Sequence, residues 1–228
     1  MVRDNSQRAK VVQILFFCLM AIHAVNAFGN YLQIQLLNRL QKGVYNEEEA
    51  SNNDIRQQLL AIAILILTIL SIVYFIMWFR RAYYNLQLAG GRTNFTEGWA
   101  AGAWFVPFLN LVRPYQIMTE IWNDTQSLNY SKAERKSGAI VGVWWTMYLI
   151  SNIVSSVSAR IYTDTETIEG LLDSSWADLW SSSLEIPAAI LAVVMVRQAH
   201  QFELELSAYQ QLPKEEDSEN LLGNIVVE

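Results

Sequence analysis

The sequence predicts an all-α polytopic membrane protein: four transmembrane helices, a proline-broken re-entrant or interfacial helical segment, and a short amphipathic helix before the last span. Three observations carry that reading. The chain of 228 residues is 52% hydrophobic and only 17% charged, which is unlike an ordinary soluble domain. Leu59–Phe79 contains no charged residue, and as a helix it covers about 30 Å, the thickness of the bilayer hydrocarbon. Val11–Phe28, Ala139–Val157 and Leu184–Val196 are nearly as apolar, and soluble helices of that length normally keep a polar face.

The first span is placed at 11–36, behind Arg3, Arg8 and Lys10. A basic start, an apolar run and Val25-Asn26-Ala27 also have the layout of a cleavable signal peptide. The helical pattern continues past that site, however. His23, Asn26, Asn30 and Gln33 recur at helical spacing and share one face, which a discarded leader would not need. The lone cysteine, Cys18, excludes an internal disulfide and is expected to be a small buried side chain.

Gln41–Asp54 reads as a polar, acidic connection, and the second span follows at 57–88. Trp78, Arg80, Arg81, Tyr83 and Tyr84 mark an interfacial helix end, and Gly90-Gly91 stops the helix. The segment 98–122 is apolar enough for lipid, yet Pro107 and Pro114 interrupt it and Asn110, Arg113 and Glu120 punctuate it. Proline lacks an amide hydrogen and disfavours helix at the residue before it, so helix, break, helix is expected. Such a backbone persists at membrane depth only where protein or water satisfies its polar groups.

A polar linker, Asn123–Lys136, leads to the third span at 138–159. There Ser151, Ser155 and Ser158, with Asn152 beside them, form a small-residue face suited to close helix packing. An amphipathic helix is expected at 165–178, with Thr163 and Glu166 as a capping box and a stripe through Ile168, Leu171, Leu172, Leu179 and Trp180. The last span, 179–203, carries Glu185 and Pro187. Residues 1–205 thus form one membrane domain, and 206–228 an acidic tail expected to be disordered.

Basic residues set the orientation. With both termini cytoplasmic, the inner segments carry Arg3, Arg8, Lys10, Arg80, Arg81, Arg92, Arg113, Lys132, Arg135, Lys136, Arg197 and Lys214, and the outer ones only Arg39, Lys42, Arg56 and Arg160. A full crossing by 98–122 would move Lys132, Arg135 and Lys136 outside. Charge therefore favours a dip over a crossing.

The pattern Trp78-x-x-Arg81-Ala82-Tyr83-x-Asn85-Leu86, Gly90, then Trp99-Ala100-x-Gly102-x-Trp104-Phe105-x-Pro107-x-x-Asn110-Leu111-x-x-Pro114-Tyr115-Gln116-x-Met118-x-Glu120-x-Trp122 resembles the bacterial membrane-protein family called domain of unknown function 4328. The resemblance extends over roughly residues 10–205 and includes Trp144-Trp145 and Leu171–Leu179. Arg80 stands where the family more often has an aromatic residue, and the acidic tail lies outside the resemblance. What the resemblance implies is a four-helix protein of the bacterial cytoplasmic (inner) membrane, without an assigned activity.

Polar groups inside a bilayer are costly and mark candidate sites; here these are His23, Asn26, Asn30, Asn152 and Glu185. They serve either as interhelical hydrogen bonds or as a polar path or solute pocket, with His23 the natural partner of Glu185 if the first and last spans touch. A second group is a platform of Arg80, Arg81, Tyr83, Asn85, Trp99, Trp104, Pro107, Asn110, Arg113, Pro114, Tyr115, Gln116 and Glu120. Its side chains are either interfacial anchors or a site for a partner or an anionic headgroup, since proline suits a helix's first turn, where free amides attract anions.

No catalytic motif, cofactor motif or Cys cluster is recognised. His200 and Glu203 share a face but are too few for a metal site. The leading expectation is a non-enzymatic interaction or assembly module, and the alternative is a conduit or binder for a small solute or lipid headgroup, built around the broken segment 98–122. An intramembrane hydrolase using Ser155 or Ser156 with His23 is a distant third. Expected partners are the lipid bilayer, anionic lipid headgroups, and a membrane protein or second copy; nucleic acid is not among them.

Overall fold

The computed structural model describes residues 2–44, 46–129, 134–161 and 167–211. Thr163, Glu166 and residues 212–228 of the acidic tail fall outside them, whereas 206–209, expected in that tail, belong to the last helix. The described residues form α1 (Ser6–Gln41), α2 (Glu47–Leu88), α3 (Glu97–Gly102), a 3-10 turn (Leu109–Leu111), α4 (Arg113–Asn129), α5 (Ala139–Ile161) and α6 (Ile168–Tyr209), with no strand among them. Helices α1, α2, α5 and α6 are long and apolar enough to cross a membrane, so this is a multi-pass membrane protein. At about 1.5 Å per residue, α2 and α6 are each roughly 60 Å long, twice the hydrocarbon thickness, and so extend beyond it.

Two expected boundaries are corrected. Most of the acidic connection is helix, because Asn46 caps α2 by accepting from the Glu49 amide, and Glu47, Glu48 and Glu49 occupy its first turn. Carboxylates there complement the positive end of the helix dipole. The amphipathic helix and the last span are likewise one continuous α6, which contains Pro187 and starts behind Thr167, whose side chain accepts from the Gly170 amide. Ser174, Ser175 and Ser182, which look like a polar break in one dimension, are buried within the bundle.

The long helices run up and down. Asn5 reaches Glu203, Asn26 reaches Ser182 and Gln33 reaches Ser175. Residue numbers fall along α6 by the same steps with which they rise along α1, so the two helices pair antiparallel in one fixed register. Arg56 donates to the Gly29 carbonyl (3.1 Å) and Gln57 to Asn30 (3.3 Å), joining α2 to the same stripe on α1. On α5, Ser155 meets Ser181 (2.9 Å) and Ser158 meets Asp178 (2.6 Å), so the small-residue face does pack on a helix.

One end of the bundle, here called proximal, gathers the start of α1, the end of α2, the start of α5 and the end of α6. Its core is aromatic: Trp78, Phe79, Tyr83 and Trp122 are fully buried. The chain turns at the end of α2 through Gly90, which has φ 81, and Gly91, where a Cβ would stand 2.2 Å from a Leu86 side-chain carbon. Only glycine takes both positions without strain or collision. Cys18, expected to be buried, lies exposed on the outer face of α1, where a small apolar thiol faces lipid at little cost.

Candidate functional site

The broken segment leaves and rejoins the bundle at the proximal end. At its start, Asn94 donates to Glu120 through its amide nitrogen (3.1 Å) and its side chain (2.8 Å). Tyr83 donates to the same carboxylate (2.7 Å) and accepts from the Phe95 amide (3.1 Å). At its far side, Asn129 donates to the Phe202 carbonyl near the end of α6 (3.0 Å). Tyr83 and Glu120, both expected as platform residues, thus fasten the two legs of the segment to α2.

Between those legs the chain reaches back into the aromatic core. The Trp104 ring lies 5.5 Å from Phe75, 5.9 Å from Phe79 and 6.0 Å from both Trp145 and Tyr148, edge-on to each. Edge-to-face contacts of this kind stabilise by about 0.5–1.5 kcal/mol each. Phe75 lies inside the apolar window of α2, so Trp104 sits more than a helical turn inward from Arg80.

The irregular backbone is largely satisfied from within. The amides of Phe105, Leu109, Asn110 and Val112 bond to the carbonyls of Gly102, Pro107, Val106 and Leu109, and the Trp145 indole donates to the Leu111 carbonyl (3.1 Å). Internal bonds of this kind are what non-helical chain needs wherever water is scarce. Phe108 bears the strain of the turn with φ 65, a conformation that costs about 1–3 kcal/mol outside glycine. The tip points outward: Phe105 is 72% and Phe108 83% exposed.

The other platform residues divide by role. Arg80 pairs with Glu97 at 3.0 Å on the surface, and Arg81 lies 5.9 Å from the Tyr84 ring. Arg113 stacks over Phe95 (4.2 Å) and Trp99 (5.0 Å), cation–π contacts that hold it across the start of α4. Pro114 is buried in the first turn of α4, where its missing amide hydrogen costs nothing. Tyr115 stacks on Trp145 at 6.4 Å, Asn110 is half-buried, and Pro107 and Gln116 are exposed. Beside Glu120, partial burial and that neighbouring carboxylate push the Asp124 carboxyl above its ordinary value.

Asn85 belongs to a different cluster. It exchanges two bonds with the Arg3 backbone (3.0 and 2.7 Å) and donates to Glu203. Asn5 donates to the Trp78 carbonyl (3.2 Å) and to Glu203 (3.2 Å), and His200 lies 3.3 Å from the same carboxylate. This buried knot ties the start of α1 to the ends of α2 and α6. Asn5 and the structural use of Glu203 escaped sequence reading, because nothing local shows that residues 198 apart in sequence meet.

Among the intramembrane polar residues, Asn26 and Asn30 are interhelical bonders, as described above. The Asn152 side chain donates back to the Tyr148 carbonyl (2.7 Å) and is exposed on the outside of α5, so it does not face the bundle interior. The expected His23–Glu185 pair is not formed. Helices α1 and α6 do touch, and their register sets the two residues level. Glu185 nevertheless turns to Ser155 on α5 (3.2 Å), and the buried His23 Nδ1 has no hydrogen-bond partner among the described residues. The Ser156 hydroxyl bonds the Asn152 carbonyl (2.7 Å).

A protein-family model described as "Domain of unknown function (DUF4328)" matches residues 41–201. No curated protein and no solved structure matches the chain. The match covers well over half of the sequence, and the chain belongs to that family.

Proposed function

We propose that this member of the DUF4328 family is a non-enzymatic interaction and assembly module of the bacterial cytoplasmic membrane. Both termini face the cytosol, and the segment 98–122 dips into the inner leaflet and returns. One observation carries the reading. The polar side chains around the segment are engaged in holding it, with Tyr83 and Asn94 on Glu120 and Arg80 on Glu97, while Phe105 and Phe108 are directed away from the bundle. A rigid framework presenting a protruding apolar tip suits the recognition of another membrane helix or a second copy of this chain.

Mild solubilisation of the full chain tests this. The module reading expects a stoichiometric membrane-protein partner or second copy that is lost in Phe105→Ala/Phe108→Ala and kept in Glu185→Gln. A second reading, a small-solute conduit, draws on the unpaired His23 nitrogen level with Glu185. It expects the purified protein alone to carry solute into vesicles, and Glu185→Gln to abolish that flux.

A further inference from the structure

A groove of about 450 Å³ opens along the α1–α6 pair, with Lys136, whose carbonyl accepts from the Trp122 indole, at one end. Its walls change character along the bundle axis. Phe17 and Met20 of α1 face Ile190 and Val194 of α6 in the apolar part, and Lys136 and Arg197 stand at the proximal mouth. Ile190, Val194 and Arg197 follow one another at helical spacing on one face of α6, so the cation lies about 10 Å above the floor.

Neither Lys136 nor Arg197 forms an ion pair among the described residues. The Lys136 ammonium is held 5.6 Å from the Phe202 ring, which positions it without neutralising it. Two cations without an ion-pair partner among the described residues, at the wet end of an apolar slot, complement one kind of ligand: an amphiphile with an anionic head and a hydrocarbon tail.

We propose that this groove binds an anionic phospholipid of the surrounding bilayer, with its phosphate between Lys136 and Arg197 and one acyl chain laid along Val194, Ile190, Phe17 and Met20. Basic side chains between helices at the membrane surface favour anionic headgroups. The slot parallel to the helices gives the chain a protein wall in place of neighbouring lipid. The bound lipid would cover the seam between α1 and α6, the helices that carry the buried Asn5–Glu203 contact.

Native mass spectrometry of the full chain in mild detergent tests the assignment, with titration by phosphatidylglycerol and by phosphatidylcholine of the same acyl composition. One phosphatidylglycerol per chain is expected to be retained at least about fivefold more tightly than phosphatidylcholine. Lys136→Gln and Arg197→Gln should each weaken phosphatidylglycerol about fivefold and leave phosphatidylcholine unchanged. Val194→Trp, which fills the slot, should weaken both lipids while the two cations remain. Equal retention of the two lipids overturns the proposal, as does phosphatidylglycerol binding that survives the glutamine variants. Displacement by inorganic phosphate would reveal a headgroup site without a chain slot, and a lipid-free dimer that Val194→Trp dissociates would assign the groove to a second copy; either result overturns it.

Discussion

Replacing Trp104 by alanine should release the broken segment without dissolving the bundle. The indole touches four rings from α2 and α5, and at about 0.5–1 kcal/mol each their loss amounts to roughly 2–4 kcal/mol. Its buried Nε1 has no hydrogen-bond partner among the described residues, so removing it recovers about 1 kcal/mol. The net change of about 1–3 kcal/mol raises the population of the opened segment roughly 5- to 150-fold. Hydrogen exchange on protein in lipid nanodiscs reads this directly at the amides of Phe105, Leu109, Asn110 and Val112, which bond within the segment. Trp104→Phe keeps a ring in the cluster and removes the orphaned donor, so it should change exchange less than about fivefold. Unchanged exchange across the tip in Trp104→Ala would refute the reasoning, as would acceleration shared equally by the middle of α1.

Three other outcomes follow from the same contacts. Tyr83→Phe removes a hydroxyl that bonds Glu120 and the Phe95 amide; it should cost about 1.5–3 kcal/mol locally, and a double-mutant cycle with Glu120→Gln should show coupling of at least about 1 kcal/mol. Asn85→Ala strips a donor from the buried Glu203 and both partners from the Arg3 backbone, which should lower unfolding free energy in detergent by about 2–4 kcal/mol. The fold raises the Asp124 carboxyl above its ordinary value, chiefly by burial, so its ionisation opposes folding. That opposition is absent below pH about 4 and complete once the pH exceeds the raised value. Asp124→Asn should therefore raise Tm at neutral pH and leave it unchanged near pH 3; a Tm lowered at neutral pH would contradict the sign.

The parts legible in the sequence are those with a local physical cause. Leu59–Phe79 announces a span because it carries no charged side chain over a bilayer's thickness. The glycine pair ends α2 through its own backbone requirement, and Pro107 and Pro114 break the segment wherever it lies. The helical spacing of Asn26, Asn30 and Gln33 shows a shared face before any partner is known. What was not legible depends on a second surface. The serines of early α6 look like an interruption until α1 supplies Asn26 and Gln33 opposite them. Glu185 and His23 look like a pair until α5 offers the carboxylate a closer hydroxyl. Tyr83 and Glu120 are separately conspicuous, yet their bond depends on how the chain folds back between them.

The central claim is that 98–122 returns to the side it came from. With Cys18→Ser as background, single cysteines at exposed Val44, between α1 and α2, and exposed Ser137, before α5, can be tested with a membrane-impermeant maleimide on sealed vesicles of both orientations. The account predicts that position 137 reacts from the same face as an amino-terminal tag and position 44 from the opposite face. Positions 44 and 137 labelled from one common face would mean that the segment crosses the bilayer, and would contradict the account.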